Sequence, residues 1–242
     1  MRPDLSVVIP AYNEETRLPA SLEAVAAFFS SRKEPLSVEV VVVDDGSADR
    51  TATRAEEAGR RLGLSIRILR FPENRGKGAA VRAGALAAVG KEILVSDADF
   101  STPIGEWEKL AAAHVPVAIG SRAVDDTLVK ERQPLFRVAM GKLFNVLVRL
   151  VAVPGIHDTQ CGFKLFSSEA AEAVFSRTTV DRFAWDVEAL LLARKLGFPI
   201  AEVPVLWFDS PDSRVTLLGG AQAYLDVLRI RRRVSRTMRK SS

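Results

Sequence analysis

Asp97 and Asp99 stand one residue apart, just after the apolar run Glu92-Ile93-Leu94-Val95. In extended chain alternate side chains point the same way, so both carboxylates are expected on one side. Two hard oxygen donors so placed suit Mg2+ or Mn2+, which takes one or two carboxylates and completes its shell with phosphate oxygens and water. Alone, such a pair reads equally well as a polar loop whose aspartate caps the next helix. A phosphate partner is offered by Asn74-Arg75-Gly76-Lys77-Gly78, with basic side chains on a glycine-loosened backbone ahead of a helix. That segment is also readable as a solvated turn.

A further acidic cluster, Asp44-Asp45-Gly46-Ser47, follows another apolar run. It can end a strand, with Ser47 or Asp49 capping the next helix, and can offer a carboxylate to a base or ribose. Pro10 to Glu15 contains no glycine, so the Gly-x-Gly-x-x-Gly fingerprint of dinucleotide enzymes is missing where it would be needed. Nicotinamide and flavin chemistry are therefore disfavoured.

The elements that must position these residues alternate. Strands are expected at Leu5 to Ile9, Val38 to Val43, Ile66 to Leu69, Glu92 to Val95 and Val115 to Ile119, each resembling a strand buried on both faces. Helical periodicity fills Thr16 to Ser31, Ala48 to Leu62, Lys77 to Val89 and Ile104 to Ala113. Such alternation means an α/β fold around a mostly parallel sheet, and ligands then bind beyond the carboxyl ends of the strands, where the acids stand. After about residue 125 the pattern changes to an amphipathic stretch from Leu135 to Val153, a turn at Gln160-Cys161-Gly162 and a helix from Asp186 to Leu196. With no clear linker, one domain is expected.

The 242 residues, 48% of them hydrophobic, suffice for a sizeable core. Cys161 is the single cysteine, which excludes an intrachain disulfide and a cysteine-cluster zinc site. His114 and His157 lack metal-ligand spacing. The net charge of +4 is concentrated at the tail, where seven basic residues and no acid lie between Arg229 and Lys240. An apolar stripe of Leu217, Leu218, Ala221, Tyr224, Leu225 and Leu228 precedes them. Peripheral membrane contact through 135–153 and 217–240 is the expectation, against ordinary core packing and a solvated tail. Nucleic acid is not an expected partner, because zinc-finger spacing and RNP-like aromatics are missing. No signal-peptide order and no run of about 18 apolar residues is found, so a cytoplasmic, non-spanning protein is expected.

Together, VVIPAYNEE (7–15), VVVDDGSADRT (41–51), NRGKGAAVRAG (74–84), VSDADFS (95–101), GSR (120–122), DTQCGFKLF (158–166) and FAWDVEALLLARKLGF (183–198) resemble the family-2 inverting glycosyltransferases of the GT-A fold. The last two look most like the polyprenyl-phosphate branch, and DTQCGFKLF is similar to the dolichyl-phosphate β-glucosyltransferases. The resemblance implies a domain over 1–215, with a nucleotide-sugar half (1–124) and an acceptor half (125–215), followed by a basic segment (216–242). It implies transfer of a hexose, glucose from UDP-glucose, to a polyprenyl phosphate at the cytoplasmic membrane face.

Carried over by residue, it implies that Pro10, Tyr12, Glu14 and Asp45 line the nucleoside pocket, and that Lys77 and Asp97-Ala98-Asp99 meet the rest of the donor. Asp97 would face ribose and sugar while Asp99, with Asp97 beside it, would hold the metal. Arg122, Arg132 and Arg214 would meet phosphate groups, and Gln160 would lie beside the sugar. Arg214 stands where relatives often carry lysine. Ser101 replaces a glutamine that serves mannosyl relatives as a further metal ligand, and the membrane anchors of many relatives are not found. Asp186 occupies the acidic position of the FDVE-like element. It would take the proton of a hydroxyl acceptor, whereas a phosphate acceptor needs no base; it also reads as a cap on its own helix. A GDP-mannose enzyme, a hydroxyl-acceptor transferase and a non-catalytic nucleotide-binding recruitment module remain the alternatives.

Overall fold

The computed structural model describes residues 2–129, 148, 153–208, 227 and 229–235. Seven strands form one sheet: β1 (Leu5–Ala11), β2 (Val38–Asp44), β3 (Ser65–Arg70), β4 (Glu92–Val95), β5 (Val117–Ser121), β6 (Lys164–Ser167) and β7 (Ile200–Pro204), in the order β3-β2-β1-β4-β6-β5-β7. All neighbours are parallel except β6, which runs antiparallel to both β4 and β5. Among the described residues the helices packed on this sheet include α1 (Leu18–Ser30), α2 (Thr51–Leu62), α3 (Lys77–Ala87), α4 (Trp107–Ala111), α5 (Ser168–Phe175) and α6 (Trp185–Lys195).

The β-branched runs form the centre because strands covered on both faces must be apolar at every position. β1 is buried along its whole length. Val8, Val41 and Val43 face α3, α5 and α6, whereas Val7, Ile9, Val40 and Val42 face α1 and α2. β3 departs from the expectation of burial on both faces: it is an edge strand whose residues alternate between exposed and half-buried. Two strands and a helix were not foreseen. β6 inserts between β4 and β5, so the last strands of the sheet come from the half of the chain expected to serve the acceptor.

Helix starts also differ. α2 begins at Thr51 rather than Ala48, because the Ala48 amide donates to Asn13 Oδ1 at 2.9 Å and Asp49 accepts from the Thr51 amide at 2.9 Å. The helix expected over Ile104 to Ala113 is a 3-10 turn, Ile104–Glu106, leading into the short α4.

Among the described residues no helix is long and apolar enough to cross a membrane. The amphipathic stretch 135–153 and the stripe 217–228 lie almost entirely outside the described residues. Val148 and Val153, which are described, are fully buried in the core. The chain is helical over 229–235, where Ile230 and Val234 join the core cluster and Arg229, Arg231, Arg232 and Arg233 are exposed. There the apolar face of the tail is turned into the protein.

Candidate active site

The carboxyl ends of β1, β2, β4 and β5 meet the start of β6 on one side of the sheet. Pro10 lies within β1 opposite Val43, and Tyr12 emerges from its end, 39% exposed. Asn13 turns the chain with φ of 55°, a left-handed conformation asparagine tolerates, and its amide donates to Ser47 Oγ at 2.9 Å. Ser47 thus staples two strand ends and does not cap α2. The Glu14 carboxylate is taken by a two-pronged pair with Arg17, both contacts at 2.7 Å.

Asp45 is buried and saturated. It accepts from the Arg75 amide at 2.7 Å, the Gly76 amide at 2.9 Å and Asn74 Nδ2 at 2.9 Å. Burial pushes its carboxyl up and neighbouring Asp44 adds to this, against the pull of the two amides. The 74–78 segment is therefore held from below, and its glycines serve packing. A Cβ on Gly76 would fall 2.4 Å from the Asp181 carbonyl oxygen, and one on Gly78 would fall 2.2 Å from that of Val180. The Ala79 amide donates to Asp181 O at 3.1 Å. With the amides of 75, 76 and 79 spent, what this segment keeps for a phosphate is the Lys77 side chain and the amides of 77 and 78 at the start of α3.

β4 ends at Val95, so Asp97 and Asp99 are placed by a turn and not by strand alternation. Phe100 closes that turn, its amide donating to Asp97 O at 3.2 Å with φ of 46°. Ala98 is buried and its carbonyl accepts from Ser21 Oγ at 2.6 Å. The two acids consequently take different partners. Asp97 Oδ1 is 2.5 Å from Lys77 Nζ. Burial opposes its charge, but Lys77, with Lys164 and Arg122 behind it, prevails and holds the Asp97 carboxyl below the usual range. For Lys77, burial is likewise outweighed by Asp97, Asp186 and Asp99, and its ammonium is held up. Asp99 accepts from the Ser101 amide at 3.1 Å through Oδ1.

Opposite this turn lies 158–164, where sequence reasoning singled out only Gln160. Asp158, 1% exposed, binds Arg122 through Nε at 2.7 Å and through a second guanidinium nitrogen at 2.9 Å, and the Arg122 amide at 3.0 Å. Arg122 also stacks over the Trp207 ring at 5.3 Å. Gln160 Nε2 is buried without a hydrogen-bond partner among the described residues. Lys164 is fully buried, donates to the Cys161 carbonyl, and lies 2.5 Å from Asp186 Oδ1 and 5.2 Å from the Trp185 ring centre. Asp186 is thus an ion-pair partner and not a helix cap. Burial pushes its carboxyl up, against Lys164 and Lys77. Cys161 is buried, which pushes its thiol up.

Asp158, Gly162 and Lys164 are the residues missed, although all three lie in DTQCGFKLF. Arg132 and Arg214 lie outside the described residues. Among the described residues no three His, Cys, Asp or Glu side chains gather as a complete metal site. An Asp99 carboxylate with one oxygen on an amide and, among the described residues, no hydrogen bond to the other fits a cation held by one protein ligand and by substrate phosphates.

A family model described as glycosyl transferase family 2 matches residues 6–175. The dolichyl-phosphate beta-glucosyltransferase of Drosophila melanogaster is 41% identical over 226 residues, spanning 88% of this chain and 69% of the relative. That of Dictyostelium discoideum is 38% identical over 241 residues, spanning 94% and 73%. Among solved structures, a glucosyl-3-phosphoglycerate synthase from Mycobacterium tuberculosis in complex with Mn2+, uridine diphosphate and phosphoglyceric acid superposes with a TM-score of 0.71. It is 18% identical over 95% of this chain and 78% of that one, a likeness of fold. The helix-flanked, mostly parallel sheet is accordingly the GT-A architecture.

Proposed function

The chain belongs to glycosyl transferase family 2 and is a glycosyltransferase, and on that premise we propose that it moves glucose from UDP-glucose to a dolichyl or other polyprenyl phosphate with inversion. The names of the relatives support the sugar and the lipid. The uridine-bound neighbour of the same fold supports the nucleotide.

The observation that carries the acceptor class is the Lys164–Asp186 pair. A hydroxyl acceptor needs a carboxylate to take its proton. Asp186, the acid suited by sequence, has its Oδ1 on Lys164 and a side chain only 6% exposed, which speaks for an ion-pair role and against a base for a hydroxyl acceptor. A phosphate monoester, with a second pKa of about 6, is already largely dianionic at neutral pH and needs no base. Its oxygen attacks the anomeric carbon on the face opposite the diphosphate; the new C–O bond forms as the old one breaks and the electron pair leaves on UDP. Lys77 and Arg122 bring positive charge to the side on which that charge develops. Mg2+ or Mn2+, held by Asp99 with Asp97 beside it, would supply Lewis-acid relief to the same leaving group.

In this reading Pro10, Tyr12, Glu14, Asp45 and Ala98 shape the nucleoside end of the site. Glu14 and Asp45 act through the turns they hold, because their carboxylates are engaged by Arg17 and by 74–76. The unpartnered Nε2 of Gln160 is a donor available to the sugar. Arg132 and Arg214 complete the phosphate contacts. The enzyme works at the cytoplasmic face, where the exposed Arg231 and Arg232 meet an anionic leaflet at about 1 kcal/mol each. Radiolabelled UDP-glucose offered in parallel to dolichyl phosphate and to dolichol tests the acceptor class. Label on the phosphate alone is expected; label on the alcohol contradicts it.

A further inference from the structure

Glu188, the second acid of Trp185-Asp186-Val187-Glu188, is buried in α6 at 1% exposure. It accepts from the amides of Thr179 and Val180, each at 2.7 Å, and from the Thr179 hydroxyl at 2.8 Å. Such charge-assisted bonds to consecutive amides fix a loop strongly. The loop they fix, 178–182, is the wall against which the Gly76–Gly78 turn rests. Val180 O and Asp181 O occupy the space where side chains on Gly78 and Gly76 would stand, and Asp181 O receives the Ala79 amide. Arg82 of α3 braces the same loop, reaching Asp181 Oδ1 at 2.6 Å and Thr178 O at 3.3 Å. Lys77 lies between the two glycines and projects to Asp97.

We infer that Glu188 is a positioning residue for Lys77: it sets the 179–181 backbone, which sets the glycine turn, which sets the point from which Lys77 reaches Asp97. The link to catalysis rests on the reading of Lys77 and Asp97 as part of the donor site. The effect passes through packed backbone, from 179–181 to the turn that carries Lys77.

Glu188→Gln keeps the side-chain shape and can hold the Thr179 and Val180 amides on its Oε1 with its NH2 on the Thr179 hydroxyl, so what it removes is the charge that strengthens those bonds. The full chain is compared with wild type by amide hydrogen exchange without ligand and by UDP binding with Mn2+, alone and in a Lys77→Met background. The inference expects faster exchange in both 178–182 and 75–79 and a UDP dissociation constant raised at least fivefold. It expects no additional loss when Glu188→Gln is placed on Lys77→Met. Exchange altered in 178–182 alone, unchanged UDP affinity, or the same fold-loss in the Lys77→Met background overturns it. If wild type binds no UDP with Mn2+, the donor-site reading fails, and the exchange at 75–79 alone decides whether Glu188 positions the Lys77 turn. Should Glu188→Gln not fold, Arg82→Ala loosens the same loop from its exposed side and is held to the same outcomes, with about half the fold-change.

Discussion

The Asp97 carboxylate rests directly on the backbone of Gly162: a Cβ at that glycine would fall 2.1 Å from Oδ2 and 2.4 Å from Cγ. Contacts under 3 Å to a fixed group cannot be absorbed without moving it, so the glycine is what lets Asp97 stand where Lys77 can reach it. Gly162→Ala is expected to fold, to displace Asp97, and to lower sugar transfer on the order of a hundredfold, the usual cost of misplacing a reacting group by about 1 Å. Thermal unfolding and initial rates check this. A variant with unchanged rate shows that the contact is mere packing.

Asp97 and Asp99 are separable by their metal response. Asp97 is committed to Lys77, whereas Asp99 has given one oxygen to the Ser101 amide and, among the described residues, has no hydrogen bond to the other. Asp99→Asn is therefore expected to raise the Mn2+ concentration for half-maximal activity at least about tenfold. Asp97→Asn is expected to lower the rate at saturating Mn2+ with a smaller change in that midpoint. Titrations of activity against Mn2+ and Mg2+ measure both, and the reverse pattern would transfer the metal to Asp97.

The Arg122–Asp158 pair has a pH signature. Burial opposes the Asp158 charge, but Arg122 outweighs it and holds the carboxyl at about 2, against an ordinary 3.8. A depressed carboxyl stabilises the fold fully above its unfolded value, and that contribution, about 2 kcal/mol, is lost as pH falls from near 4 through 2. Breaking the buried pair by Asp158→Asn is expected to cost about 3 kcal/mol at pH 7, since Arg122 loses its partner. Urea unfolding from pH 7 to 2 should show the gap between variant and wild type closing below pH 4. A gap constant with pH contradicts the assignment.

Much of this architecture is legible from residue types, and its failures have physical causes. β1, β2, β4 and β5 announce themselves as β-branched runs because central strands must be apolar on both faces. β6 is hidden: it has four residues and opens with a lysine, which looks unfit for a strand core until its partner is known. β7, half-buried throughout and ending in proline, carries too weak a pattern to stand out. The candidate site divides likewise. Strand ends point to Asp45, Asp97 and Asp99, but periodicity says nothing of partners 20 to 40 residues away. Thus Lys164 against Asp186 and Arg122 against Asp158 emerge only in three dimensions. Glu14 shows the converse, since a carboxylate that looks available is neutralised by Arg17 one helical turn along.

The most direct measurement is lipid-extractable label from radioactive UDP-glucose, GDP-mannose and UDP-galactose, each offered to dolichyl phosphate in detergent with Mn2+, with Asp99→Ala as the blank. The account predicts label from UDP-glucose, none from the other two donors, and loss of that label in the blank. Label from GDP-mannose in its place, or no lipid label from any donor by a chain that still binds UDP, would contradict it.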